Sequence, residues 1–405
     1  MSLLRPIARC LRSGLACFAL ASGVQAGAQG AVQGAAAPHH TASGFQNNDV
    51  DNVSRGLVDL LRWRWQAWRE GLPPPPATPI PVQAPDLGLL QGYAQVWQQH
   101  AQSGAAAVPA PSPAVTWIGH ATALVQAGGL NVLTDPLFSE RASPVSWAGP
   151  KRTPQAGVAM DDLPPIDVVV ISHNHYDHLD KHSLVQLHER SQRLGHATAF
   201  LVPLRLKGLL AGWGIAGVQE LDWWQSARVG GTDFFLTPVQ HWSARGLFDR
   251  NRTLWGGWSV FGPDLHWYFA GDTGYSRDFA QTRAHFADRQ AAAQGGGFDL
   301  ALLPVGAYEP RWFMQQQHVN PAEAVRIHQD LGAKRSIGVH WGTFELTDEP
   351  LDQPPHDLQA ARDAAGLAPA AFHVLAVGET QALPARPVAD AQTQAKTAAA
   401  SGARP

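Results

Sequence analysis

The chain predicts an α/β fold in which two β-sheets pack together and helices cover their outer faces. Three observations lead there. From Val115 onward, short apolar runs recur between Gly, Pro and Asp turns, which is the texture of strands. Helical spacings interrupt these runs, so strands come in groups with helices between them. Finally, His and Asp residues stand just past the ends of several runs, which places chemistry at strand ends.

Each element has its own signal. Val115 to Ile118, Ala123 to Gln126 and Leu130 to Leu133 read as successive strands, with Gly128-Gly129 as a hairpin turn, since paired glycines supply the positive φ such turns need. The apolar run Ile166 to Ile171 reads as a buried strand. A helix over Lys181 to Ser191 follows, then strand Ala199 to Val202, helix Leu204 to Gly212 and strand Val218 to Leu221. Strands Asp233 to Pro238, Trp255 to Phe261 and His266 to Ala270 come next. Strand Leu300 to Pro304, helix Pro321 to Leu331, strand Ser336 to Val339, helix His356 to Ala365 and strand Phe372 to Val377 complete a domain placed at residues 115–380.

The flanks differ in composition. Residues 1–26 read as a cleaved signal peptide: Arg5, Arg9 and Arg12 precede an apolar stretch from Gly14 to Gly23 and a small-residue site at Val24-Gln25-Ala26. Export, to a periplasm or beyond, is therefore expected. Both cysteines, Cys10 and Cys17, lie inside that segment, so the mature chain has neither disulfides nor thiolate ligands. Residues 27–114 read as a flexible leader containing a Trp- and Arg-rich helix from Ser54 to Glu70 and a Pro-rich linker from Pro73. Two readings of that helix stand: contact with a membrane surface, or packing on the main domain with its arginines reaching outward. Residues 381–405 read as a disordered tail.

Composition bounds the function. Apolar residues make up 45% of the 405 and charged ones only 16%, enough for a sizeable core and consistent with a loop-rich α/β enzyme. The formal charge of -3 becomes -6 once the three signal arginines are removed, and an acidic chain carries no nucleic-acid surface.

The chemistry is concentrated in Ile171 to Asp180, where His173, His175, Asp177 and His178 occur within six residues after a buried strand. Imidazoles suit zinc, copper, iron or nickel, and a carboxylate among them can hold or bridge a second ion. In an extended loop His173 and His175 share a side, leaving Asp177 and His178 for the second ion. His241, Asp272 and His340 each follow a further strand and complete the candidate ligands.

This order, HxHxDH then His, Asp and His, resembles the metallo-β-lactamase superfamily. Within it the chain is most similar to the N-acylphosphatidylethanolamine-hydrolysing phospholipases D, through stretches such as Thr116 to Thr122, Leu133 to Pro136, Gly149 to Arg152, Glu220 to Trp224, Gly306 to Met314 and His340 to Phe344. The resemblance implies a four-layer αββα sandwich with the site along one edge, and two Zn2+ per chain. By it, His173, His175 and His241 hold one ion, Asp177, His178 and His340 the other, and Asp272 bridges them. It assigns catalysis to Asp272, Asp177 and His318, and contact with the substrate phosphate to Tyr176 and His318. His120 is expected to make a structural hydrogen bond and Asp135 to orient a ligand histidine. Arg152, Arg245 and Arg311 are expected to be solvated or paired.

The implied reaction is hydrolysis of an N-acylated phospholipid to N-acylethanolamine and phosphatidic acid. A metal-dependent lactonase of the same superfamily and a non-catalytic periplasmic lipid- or metal-binding protein are the alternatives, and a homodimer is left open.

Overall fold

The computed structural model describes residues 37–49, 55–103, 110–291 and 295–386; the signal segment, Ser54 and residues 387–405 lie outside them. Two helices come first, α1 (Leu57–Glu70) and α2 (Leu87–Ser103). One seven-stranded sheet follows, made of β1 (Ala114–Gly119), β2 (Thr122–Ala127), β3 (Leu130–Thr134), β4 (Val168–Val170), β5 (Ala199–Pro203) and β6 (Val218–Leu221), and closed by β14 (Thr380–Ala382) beside β1. The second sheet runs β7 (Ser226–Val229), β8 (Thr232–Thr237), β9 (Gly257–Phe261), β10 (His266–Phe269), β11 (Leu300–Pro304), β12 (Ser336–Val339) and β13 (Phe372–Val374) in unbroken spatial order.

Parallel pairs carry helical crossovers, because parallel strands cannot be joined by a tight turn. Thus α3 (Lys181–Arg193) links β4 to β5, α4 (Lys207–Gly212) links β5 to β6, α7 (Pro321–Leu331) links β11 to β12, and α8 (Gln353–Ala364) links β12 to β13. Two further helices, α5 (Asp278–His285) and α6 (Arg311–Met314), fill connections that the apolar pattern did not mark.

Strand alternation decides which layer each side chain enters. In β4, Val168 and Val170 join the core between the sheets, with Trp117, Phe234 and Trp258, while Val169 and Ile171 turn outward against Leu184 and Leu187 of α3. Every residue of β4 is therefore buried, as expected of a strand covered on both faces. The Gly128-Gly129 turn has both residues at positive φ, 60° and 76°, as its sequence predicts.

The expected boundaries need correction at both ends. The described part of the leader is anchored: His39 and His40 each donate to Asp222 at 2.7 Å, and Phe45 is buried. The Pro-rich linker is also fixed, with Gln83 N–H donating to the Val377 carbonyl at 2.8 Å and Val377 N–H to the Pro81 carbonyl at 2.9 Å. At the other end, residues 381–386 belong to the domain. Gln381 lies within β14, Leu383 is buried, and Arg386 pairs with Asp299 at 2.9 Å with both groups nearly inaccessible. Local composition missed these contacts because their partners lie far away in sequence.

A buried ion pair is costly to break from one side, because the surviving charge keeps its desolvation cost. Lys334 also reaches Asp299, at 2.7 Å, so the loss is cushioned. Arg386→Ala is expected to lower the unfolding free energy by about 3 kcal/mol, as measured by chemical denaturation.

Candidate metal centre

Five connections deliver the site. The loop after β4 carries His173, His175, Asp177 and His178 and ends at Asp180, which caps α3 by accepting from Ser183 N–H. His120 comes from the β1–β2 turn, His241 from the segment after β8, Asp272 from that after β10, and His340 from that after β12. His120 and His340 have left-handed backbone, φ 54° and 62°, an uncommon conformation for residues with a Cβ that recurs at functional sites.

Outer contacts aim the imidazoles. The Nδ1 atoms of His173, His178 and His241 are engaged by Ser172 Oγ, Asp135 and the Gln317 carbonyl at 2.9, 2.7 and 2.9 Å, which turns each Nε2 into the cluster. Asp135 also accepts from Ser172 N–H, so one buried carboxylate fixes both the loop and a ligand, as its sequence position suggested. Asn47 grips His241 from both sides: its Oδ1 accepts from His241 N–H at 3.0 Å and its Nδ2 donates to the His241 carbonyl at 2.9 Å. No sequence pattern could mark Asn47, which lies 194 residues from its partner.

Asp272 is central. Its two oxygens stand 3.1 Å from His178 Nε2 and His340 Nε2, and 3.9 Å from His173 Nε2, His241 Nε2 and His318 Nδ1. Asp177 Oδ2 lies 3.0 Å from His120 Nε2 and 3.4 Å from both His178 Nε2 and His340 Nε2. Yet His178 Nε2, His340 Nε2, Asp272 Oδ1 and His318 Nδ1 make no directed hydrogen bond, while His175 Nδ1 lies 2.8 Å from His173 Nε2 and 3.3 Å from His241 Nε2, nitrogen against nitrogen. Atoms so close but not aimed at one another fit convergence on shared cations, and imidazole with carboxylate is the donor set of transition-metal sites.

The electrostatics agree. Burial pushes His120 down to about 3 and His175 and His318 each to about 4, leaving neutral imidazoles with lone pairs to offer. Burial opposes ionisation of Asp177 and Asp272, but the surrounding histidines, His178 foremost, outweigh it and hold both carboxyls well below the usual range. Two carboxylates in contact with this many imidazoles make a binding site for cations.

Above this floor opens a cavity of about 490 Å³ that reaches His175, Asp177, Asp272 and His318. Its walls include Leu57, Leu60 and Trp63 of α1, Trp242, Phe313 and Met314. The N-terminal helix thus roofs the site.

Comparison with known proteins settles the lineage. Residues 130–341 match the model of the β-lactamase superfamily domain. A Caenorhabditis elegans protein named N-acyl-phosphatidylethanolamine-hydrolyzing phospholipase D 1 is 40% identical over 259 residues, 62% of this chain and 69% of that one. The chain belongs to the metallo-β-lactamase superfamily. A mitochondrial N-acyl-phosphatidylethanolamine-hydrolyzing phospholipase D of Saccharomyces cerevisiae is 36% identical over 62% of this chain and 52% of its own. Among solved structures, a Veillonella parvula protein described as a possible metal-dependent hydrolase aligns with TM-score 0.53 and 18% identity, over 67% of this chain and all of that one. This metallo-β-lactamase-fold chain is accordingly a metal-dependent hydrolase with a metal-binding His/Asp centre.

The expected site residues do not all meet. His173, His175, Asp177, His178, His241, Asp272, His318 and His340 come together, and His120 makes its expected bond. Arg311 pairs with Glu323 at 2.7 Å, while Arg152 and Arg245 donate to backbone carbonyls. Tyr176 requires correction. Its hydroxyl donates to the Arg245 carbonyl at 3.0 Å, its ring lies 4.0 Å from the Arg245 guanidinium, and it lines a separate cavity of about 840 Å³ with Trp213 and Val185. His175 and Asp177, its neighbours, face the metal cavity, so Tyr176 between them turns to the other side. Tyr176→Phe is expected to cost about 1 kcal/mol of stability and to leave kcat/KM within about threefold, compared by thermal melting and steady-state kinetics.

Proposed function

We propose that the protein is a dinuclear zinc phosphodiesterase of the phospholipase D type, cleaving N-acylphosphatidylethanolamine-like lipids to N-acylethanolamine and phosphatidic acid. The observation that carries this reading is the joining of seven convergent donors to a cavity with apolar walls from α1, in a chain related to two phospholipases of that name. A lactonase needs no such apolar wall, and a non-catalytic binder needs no complete ligand set.

In this reading His173, His175 and His241 would hold one ion and Asp177, His178 and His340 the other, with Asp272 available to both. Two zinc ions held there would supply Lewis acidity and lower the pKa of a water molecule toward about 7. Water attacks phosphorus, the P–O bond to the ethanolamine oxygen breaks, the phosphatidyl oxygen is retained, and the proton given up by the water ends on the departing alkoxide. His318, held neutral by burial, serves as a hydrogen-bond donor to a phosphoryl oxygen or to the departing alkoxide.

Delivery of a lipid follows from α1. Trp63 and Ala67 pack against Phe313 and Met314, while Leu57, Val58, Trp65 and Trp68 are 58–81% exposed. Leu247 and Phe248, on the loop that carries Trp242 to the cavity, are 91% and 87% exposed. One face of the helix packs on the domain; the exposed face is the one that would meet a lipid surface, in a protein whose first 26 residues lead us to expect export.

Metal-loaded protein incubated with N-acylphosphatidylethanolamine should release N-acylethanolamine and phosphatidic acid together, followed by mass spectrometry, with Asp272→Asn slower by at least about 10³-fold. Lactone hydrolysis without either product would sink the phospholipase reading. Replacing Trp65 and Trp68 together by Ser should weaken sedimentation with phospholipid vesicles by about tenfold or more while leaving the melting temperature in place; unchanged sedimentation removes the membrane role.

A further inference from the structure

The metal cavity has a side that the reaction above does not use. Arg55, Arg250 and Trp242 line it together with His175, Asp177, Asp272 and His318. Arg55 Nε and Trp242 Nε1 are buried and have no hydrogen-bond partner in the protein. Buried donors are nearly always paired, so two orphans on one cavity wall mark the place of a missing acceptor.

The two guanidinium groups are also unmatched in charge. Among the described residues neither Arg55 nor Arg250 has a carboxylate within ion-pair distance, whereas Arg311 and Arg386 both do. Each instead lies over an indole: Arg250 is 4.1 Å from the centre of the Trp242 ring and Arg55 is 5.8 Å from that of Trp312. Stacking holds a guanidinium by its face and leaves the N–H groups at its edge available for a planar pair of acceptor oxygens. Gly56 and Leu57, at the start of α1, line the same cavity, and the Asp59 carboxylate accepts from Gly56 N–H there at 3.1 Å.

We propose that Arg55 and Arg250, with the Trp242 indole N–H, form a cationic wall that selects an anionic phosphoryl group in the metal cavity over a neutral ester or lactone. This rests on reading the cavity as a phosphodiesterase site and specifies which chemistry that site accepts. One non-bridging oxygen of a phosphodiester at the metal floor leaves the other, which shares the negative charge, directed to the wall; a phosphomonoester product brings one more such oxygen. A lactone carbonyl engaged at the floor offers the wall no charge, and the buried donors stay unpaired, which penalises that substrate. Arg55 and Arg250 are specificity-determining residues; the bond-breaking chemistry stays with the floor.

Binding and turnover test the wall separately. Calorimetry of the full-length protein with inorganic phosphate and with soluble dihexanoyl phosphatidate should show the Arg55→Gln/Arg250→Gln double variant weakened by about tenfold or more for both. Arg326→Gln, a stacked arginine remote from the cavity, is the control. On bis(4-nitrophenyl) phosphate the double variant should rise in KM more than it falls in kcat, and its loss in kcat/KM should exceed that on 4-nitrophenyl acetate by about tenfold. Arg55→Lys/Arg250→Lys, which keeps the charge, should recover part of the loss and guards against misfolding. Unchanged phosphate binding, or equal losses on the anionic and neutral substrates, overturns the proposal. So does loss of sedimentation with phosphatidylglycerol vesicles when soluble phosphate still binds normally, because the arginines would then face a membrane and not the cavity. If arginine-dependent phosphate binding persists in a protein that does not cleave N-acylphosphatidylethanolamine, the wall stands and the assigned lipid reaction falls.

Discussion

Asp272 is buried and Asp177 half-buried, both are held ionised, and neutralising them is the constraint the surrounding structure serves. Negative charge in such a place is tolerated only against close positive charge or directed donors. The chain answers with imidazoles from five separate connections, which converge because both sheets end along one edge. Burial keeps His120, His175 and His318 neutral while the carboxylates stay charged. Against the pull of burial, the same carboxylates draw protons onto His178 and His340, raising His340 to about 9, positive charge that a metal cation would replace. The contacts behind it, from Asp135, Ser172 and the Gln317 carbonyl, do for direction what the carboxylates do for charge.

Much of the N-terminal region is part of this support. Asn47 holds the backbone of His241, and its Oδ1 also accepts from Trp255 Nε1 at 3.1 Å, so one amide joins the leader, a ligand and the core between the sheets. His39 and His40 tie the same segment to Asp222 at the end of β6. Downstream, Trp63 of α1 donates to Asp348 at 2.8 Å and packs against Phe313. The roof of the cavity is thereby bonded to the floor's own domain. Removing residues 37–70 would take away a wall of the site and a hold on one of its ligands.

How much of this was legible in the sequence depended on the range of the interaction. The β4 strand, the loop after it and the α3 cap are contiguous, so period-two apolarity and the clustered histidines exposed them directly. His241, Asp272 and His340 were legible because each sits just past a strand that apolar pattern alone could locate. β7 and β14 were missed because their residues are only partly buried, at a sheet edge or a domain end, and carry a weak apolar signal. Asn47 and the Arg386–Asp299 pair were missed for another reason: each is an interaction between polar residues remote in sequence, with no periodicity to betray it. Tyr176 shows the converse error. Its place among ligands suggested a shared task, but the alternation that points His175 and Asp177 inward points Tyr176 away.

That outward turn has a physical use of its own. The Arg245 guanidinium lies against the Tyr176 ring while its Nη1 donates to the Asn174 and Leu179 carbonyls at 2.9 and 2.7 Å. These carbonyls flank the ligands His175, Asp177 and His178, so Arg245 holds the loop from behind as Asp135 holds it from within. A loop carrying four ligands cannot rely on the metal alone for its shape, because ligands must be near their places before an ion can bind all of them. Tyr176 and Arg245 supply that order from the face turned away from the metal cavity, which leaves the facing side free to be lined by groups chosen for chemistry.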